Sequence, residues 1–202
     1  MSERVPLDFD PPVRQLRALL LGVTDDDLTA PTPCDGWSVG DLLDHLMTVT
    51  GAYVRAARKQ PDPDAPTQPS AAHLPAQWRS RLPVLLEELA TAWKDPAAWV
   101  GTALSGGVTT AAPAVAAAAM NELTTHGWDL ARATGQDFAA DPRSLEALVG
   151  FLDPDRPVVT PPTTDLEDEP TLLAKVVELT GRDPHWHPGN RHHGGRTTRD
   201  AA

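Results

Sequence analysis

The chain has 202 residues, a length that fits one globular domain, and 41% of them are hydrophobic, which is enough for a packed core. Acidic residues outnumber basic ones by 28 to 17, and the net charge of −11 argues against nucleic acid or a membrane as a partner. The single cysteine, Cys34, excludes an intramolecular disulfide, and because no signal peptide or membrane-length apolar run is visible, we expect a cytoplasmic protein.

The spacing of the prolines indicates where helices can form. The chain contains 21 prolines, and because proline breaks helix interiors, proline-free stretches show where helices can run. The longest such stretches are 34–60 and 114–141, with a shorter one at 13–30. Prolines cluster at 61–75 and 154–170, and these two segments are predicted to be loops.

Two helices are predicted in the first third of the chain. A short amphipathic helix covers 13–22, and a longer helix covers 38–59. Ser38 is a suitable N-cap for the longer helix. The negative charge of Asp41 in the first turn is stabilised by the positive end of the helix dipole. The apolar residues that form one face of this helix are Val39, Leu42, Leu43, Leu46, Val49, Tyr53, Val54 and Ala57.

A third helix is predicted over 77–94, with Pro83 as a candidate kink. The Gly- and Thr-rich stretch 100–112 favours a short extended segment. The fourth helix covers 113–134, because proline suits a first helical turn and Gly135 supplies a C-terminal stop.

Two shorter helices over 142–152 and 171–180 complete the pattern. Four main helices with little extended structure predict an all-α protein, a four-helix bundle with short extra helices. We expect residues 1–186 to form this single domain and residues 187–202 to form a disordered tail.

Three candidate metal ligands lie on two of these helices. Glu122 and His126 are four residues apart, which puts both side chains on one face of the fourth helix. Such a pair can bind a divalent metal ion, although it is more often an ordinary exposed pair. His45 falls at the border of the apolar stripe of the second helix, as the pair does on the fourth. Border positions line helix seams, where bundles hold metal sites, but periodicity does not show that the two seams face each other.

Three blocks of sequence are distinctive: LTAPTPCDGWSVGDLLDHL over 28–46, NELTTHGWDLARATGQ over 121–136 and LTGRDPHW over 179–186. In order and spacing they resemble actinobacterial proteins related to mycothiol-dependent maleylpyruvate isomerase, which belong to the DinB-like superfamily. The resemblance runs from about Asp8 to Trp186. The full isomerase continues into a second domain, for which 202 residues leave no room.

The resemblance implies a DinB-like four-helix bundle that binds a divalent metal ion through His45, Glu122 and His126. Three protein ligands leave a position open for water or substrate, as in catalytic sites. The metal can be zinc, nickel, iron or manganese, since such sites follow metal availability as well as affinity.

The function implied by the relatives is metal activation of a low-molecular-weight thiol such as mycothiol, used in S-transfer to, or isomerisation of, a small electrophilic molecule. The expected partners are therefore that thiol and that electrophile, and the protein is expected to be a monomer or homodimer. The alternative is a stress or regulatory bundle that binds a metal or ligand without catalysis.

Other conspicuous residues have two interpretations each. Cys34 is either a nucleophile or, more simply, a small buried apolar residue. Trp37 and Trp128 either pack the turn and the bundle or line a pocket. Asp129 lies one turn beyond His126 and is either its hydrogen-bond partner or part of a local salt bridge.

Arg55 and Arg58 extend the second helix, where they either meet an anionic substrate or form a solvated face. Four histidines near the C-terminus suggest a second metal site, but their Gly- and Arg-rich surroundings favour a tail instead; they are His185, His187, His192 and His193.

Overall fold

The computed structural model describes residues 7–61, 68–153 and 171–189. Within these ranges the chain forms six α-helices and one β-hairpin. In chain order they are α1 (Asp10–Gly22), α2 (Val39–Ala57), α3 (Trp78–Ala92), β1 (Thr102–Ser105), β2 (Val108–Ala111), α4 (Ala112–Thr134), α5 (Pro142–Leu152) and α6 (Leu172–Leu179). The predicted all-α fold is confirmed.

The helices pack as a bundle with a small addition at one side. α2 packs against α3 and α4, and α1 packs against the same two helices. α5 and α6 pack against each other, and α5 also contacts α4. The predicted packing of α2 against α4 is therefore present, and it brings the two candidate metal-binding helices together.

Local sequence signals explain the helix ends. Ser38 caps α2 in a capping box, because its side chain accepts from the backbone N–H of Asp41 while the Asp41 carboxylate accepts from the backbone N–H of Ser38. Gly135 ends α4 with a left-handed φ of 66°. α1 begins earlier than predicted, at Asp10, because prolines are tolerated in a first helical turn.

The predicted extended segment is an antiparallel hairpin. β1 pairs with β2 so that Thr102 lies opposite Ala111, and the hairpin packs against both α2 and α4. Pro83 lies inside α3, and the helix continues past it to Ala92.

Parts of the predicted loops lie outside the described residues, at 62–67 and 154–170, as does most of the predicted tail, at 190–202. The division into a domain over 1–186 and a tail over 187–202 remains a prediction. No helix in the described part of the chain is long and apolar enough to cross a membrane.

Close packing at the start of α2 yields a stability prediction. A Cβ at Gly40 would stand 2.7 Å from Cβ of Ala71 and 3.1 Å from the carbonyl oxygen of Leu28. We expect Gly40→Ala to lower the free energy of unfolding by about 1–3 kcal/mol, because the added methyl group would overpack this contact. This loss should outweigh the better helix propensity of alanine.

Gly51 is the matched control on the same helix, because the nearest atom to its added Cβ is the flexible end of Arg55, at 3.4 Å. Gly51→Ala should leave stability unchanged or raise it by up to about 1 kcal/mol. Urea denaturation measures both effects. Equal stability of the two variants would contradict this account of the packing.

Candidate metal centre

A tight turn before α2 places two side chains over α4. Residues Pro31 and Ser38 form an antiparallel bridge, and the Trp37 N–H donates to the Cys34 carbonyl at 3.0 Å across the turn. Gly36, with φ of 78°, supplies the left-handed position that this turn needs. Cys34 and Trp37 thereby lie beside the candidate ligands of the bundle.

The three predicted ligands meet at the seam between α2 and α4. Nε2 of His45 lies 3.0 Å from Oε2 of Glu122, and Nε2 of His126 lies 3.1 Å from the same oxygen. The two imidazole rings stand edge to face with their centroids 4.8 Å apart. One carboxylate oxygen therefore contacts two imidazoles from different helices.

The cluster is partly exposed to solvent. The His126 side chain is 8% exposed, whereas those of His45 and Glu122 are 19% and 26% exposed. The Trp37 ring lies 4.9 Å from the His45 ring and stacks on the His126 ring at 5.9 Å. Trp37 thus packs against the turn and against both imidazoles, and its role in lining a pocket stays a prediction.

The electrostatics of the cluster follow from burial among opposite charges. Burial alone would raise the pKa of Glu122, but hydrogen bonds from His126 and His45 outweigh it and hold that pKa well below 4.5. Burial alone would lower the pKa of His126, but hydrogen bonds to Asp129, Cys34 and Glu122 raise it well above 6.5. The metal-free cluster therefore favours a charged carboxylate and a protonated imidazole.

The second nitrogen of His126 contacts a buried carboxylate. Nδ1 of His126 lies 2.9 Å from Oδ2 of Asp129, a fully buried side chain. Arg182 donates to both oxygens of the same carboxylate, from Nε at 3.2 Å and from Nη2 at 3.0 Å. Asp129 is thus both the hydrogen-bond partner of the imidazole and a salt-bridge partner, and no periodic pattern pointed to Arg182.

Cys34 is not the small apolar residue expected from its position in the turn. Its thiol lies 3.3 Å from Oδ2 of Asp129, and its sulfur accepts from Nη2 of Arg182 at 3.0 Å. Cys34, His126 and Asp129 also form a second group with metal-ligand geometry. The guanidinium of Arg182 stands beside this second group, and its positive charge disfavours a cation there.

Tyr53 is a further residue near the cluster that the sequence did not single out. It lies two turns after His45 on α2 and is buried, with Ser105 of β1 as a hydrogen-bond partner. Burial and the nearby charge of Glu122 raise its pKa above 10, so the phenol stays neutral.

The remaining candidates lie elsewhere. Arg58 forms an ion pair with Glu88 at 3.2 Å, which fits a solvated face, and His185 is exposed. Trp128 is buried, with Arg132 above its ring. Of the four histidines near the C-terminus, His192 and His193 lie outside the described residues.

The charge pattern predicts how metal-free stability depends on pH. The lowered pKa of Glu122 contributes stability that is present above 4.5 and lost as the pH falls. The raised pKa of His126 contributes stability that is present below 6.5 and lost as the pH rises. The contribution of the cluster should therefore be largest between these two values.

Chemical denaturation of wild type and Glu122→Gln across this range, with a chelator present, measures that contribution as a difference in free energy of unfolding. The difference should be greatest between about pH 4.5 and 6.5 and should shrink on both sides. A difference that does not vary between pH 3 and 9 would contradict the charge assignment.

Comparison with known proteins gives a family and two relatives. The family described as "Mycothiol maleylpyruvate isomerase N-terminal domain" matches residues 9–131. Two proteins of Mycobacterium tuberculosis, uncharacterized protein MT0763 of strain CDC 1551 and uncharacterized protein Rv0738 of strain H37Rv, are each 31% identical to the chain over 151 residues. These alignments cover 69% of this chain and 78% of each relative. No solved structure gives a significant match.

Proposed function

Because the chain belongs to the family of the mycothiol maleylpyruvate isomerase N-terminal domain, we propose that it binds a divalent metal ion and acts on a low-molecular-weight thiol of the mycothiol type. The ligands in this proposal are His45, Glu122 and His126. The observation that carries it is the convergence of these three side chains, from two helices, on one partly exposed point of the seam.

The donor set fits the proposed metal. Two imidazole nitrogens and one carboxylate oxygen form a usual catalytic zinc set, and they lie within 4.8 Å of one another. Ligand atoms of a tetrahedral zinc ion at 2.0–2.1 Å lie roughly 3.3 Å apart. The two contacts to the Glu122 oxygen, at 3.0 and 3.1 Å, are within a few tenths of an ångström of that spacing.

A bound metal ion would supply a Lewis acid that stabilises a thiolate at neutral pH. The chain's own residues supply the surroundings. Trp37 shields the imidazoles on one side, and the carboxylate of Asp129 holds His126 by its Nδ1 atom. The exposed edges of His45 and Glu122 leave a side from which a small thiol can approach.

The proposed reaction is S-transfer to, or isomerisation of, a small electrophilic molecule, with the sulfur of the thiol as nucleophile. The seam fits this reaction class because the Trp37 ring covers the two imidazoles while the partly exposed His45 and Glu122 leave room for a nucleophile held beside the proposed metal. Tyr53 adds a neutral hydroxyl group near Glu122, on the hairpin side of the seam.

Ligand variants test the metal site. His45→Ala, His126→Ala and Glu122→Gln should each lose bound metal and any thiol-dependent turnover while keeping helical circular dichroism, because the apolar core lies outside the cluster. Metal content after dialysis against zinc measures the effect. Parallel losses are expected, although His45 lies on a different helix from the other two.

The control is His73→Ala, which removes a histidine whose side chain is 61% exposed and which lies outside the cluster. Its metal content should equal that of wild type. Retention of full metal by His45→Ala, together with loss by His126→Ala, would show that the three-ligand site is wrong.

Thiol consumption separates catalysis from simple binding. We expect zinc-loaded protein to accelerate consumption of a small thiol by an activated alkene, and we expect chelator-treated protein and His126→Ala not to do so. Loss of free thiol, followed colorimetrically, measures the rate. Bound metal without acceleration for any electrophile tried would favour the non-catalytic binding bundle.

A further inference from the structure

We propose that Arg182 is a positioning residue for the metal centre, acting through Asp129 on His126. Arg182 lies after α6, outside the residues 9–131 that match the family, so the C-terminal segment of this chain completes a centre built on α2 and α4. The metal-binding part of this inference rests on the proposed function.

The helix end before Arg182 fixes its position. Gly181 has a left-handed φ of 78°, and its N–H donates to the Glu178 carbonyl while the Arg182 N–H donates to the Val177 carbonyl. These two bonds form a Schellman motif, which ends α6 in a defined direction. The Arg182 side chain also donates to the carbonyl of Thr180 at 2.8 Å, which further limits its freedom.

Arg182 makes a two-point contact with the buried carboxylate. Its Nε and Nη2 atoms donate to the two different oxygens of Asp129, whose side chain is fully buried. A buried carboxylate without a cationic partner is strongly destabilised, so Arg182 keeps Asp129 charged in place. The planar guanidinium also sets the plane of the carboxylate, which lysine does not do.

The charged carboxylate in turn sets the orientation of His126. Oδ2 of Asp129 lies 2.9 Å from Nδ1 of the imidazole, and this contact places the Nδ1 proton on the Asp129 side. Nε2 then points toward Glu122, where the proposed metal would bind. Loss of Arg182 should therefore release the ring and weaken metal binding without removing a ligand.

Two measurements test this relay, by which we mean the action of Arg182 on His126 through Asp129. The first is zinc affinity, determined with a competing chelator. The second is the NMR signal of the His126 Nδ1 proton in metal-free protein, assigned by its loss in His126→Gln. The variants are Arg182→Ala, Arg182→Lys, Asp129→Asn and the double variant Arg182→Ala/Asp129→Asn.

We expect Arg182→Ala and Asp129→Asn each to weaken zinc binding by roughly 10–100-fold, as is typical when a partner of a metal-binding histidine is removed. Arg182→Lys should lose less zinc affinity than Arg182→Ala, because lysine keeps the positive charge but cannot make the two-point contact of the guanidinium. The double variant should bind zinc about as weakly as Asp129→Asn alone, since Arg182 acts through Asp129. The protected Nδ1 proton signal should disappear in Arg182→Ala.

Arg132→Ala is the matched control. Arg132 also contacts the C-terminal segment, donating to the Pro184 carbonyl at 3.4 Å, but its other described contact is the ring of Trp128. Its loss should leave zinc affinity and the proton signal unchanged. If Arg132→Ala weakens zinc binding as much as Arg182→Ala does, general loosening of the segment explains both effects and the relay is wrong.

The remaining outcomes also decide between the proposals. Full zinc affinity in folded Arg182→Ala, or additive losses in the double variant, would overturn the relay while leaving the metal site intact. A wild-type protein that binds no zinc would overturn the proposed function. In that case persistence of the Nδ1 signal in Arg182→Ala would overturn the relay, and its loss would support the positioning of His126.

Discussion

The shared hydrogen bonding of one Glu122 oxygen to His45 and His126 is the contact on which the rest of the site depends. It joins α2 to α4 by hydrogen bonding rather than by apolar contact, in a seam where an unpaired carboxylate would be strongly unfavourable. Because two imidazoles surround the oxygen, the metal-free cluster is electrostatically satisfied. The charge pair also accounts for the opposite displacement of the pKa values of Glu122 and His126.

Much of the fold could be predicted because its signals are local. Prolines limit where helices run, the capping box at Ser38 begins α2, and Gly135 ends α4. Each of these signals affects only the few residues next to it in the sequence. The pairing of Glu122 with His126 is equally local, since it follows from one helical turn. The contribution of His45 was different, because periodicity placed it on a seam border, and only the family resemblance connected that border to α4.

The other half of the site could not be predicted, because it depends on contacts between distant parts of the chain. Cys34 and Arg182 touch across 148 positions, and nothing in the local pattern around Cys34 distinguishes a thiol that meets a guanidinium from one buried among leucines. The turn at Gly36 determines that outcome by directing Cys34 toward Asp129 and Trp37 toward the imidazoles. The block LTGRDPHW was recognisable, but its resemblance did not say which atoms its arginine would contact.

The two nitrogens of His126 give the centre two chemically different sides. On the Nδ1 side, the fully buried Asp129 forms an ion pair with Arg182, whose positive charge disfavours a cation there. On the Nε2 side, the contacts with Glu122 are partly exposed and are held by a proton that a metal ion can replace. A metal ion would therefore compete with a proton for a site whose remaining contacts are already in place. For this reason the bundle should fold without metal. Any bound metal should add stability that rises with the logarithm of the free metal concentration above Kd, rather than serve as a condition for folding.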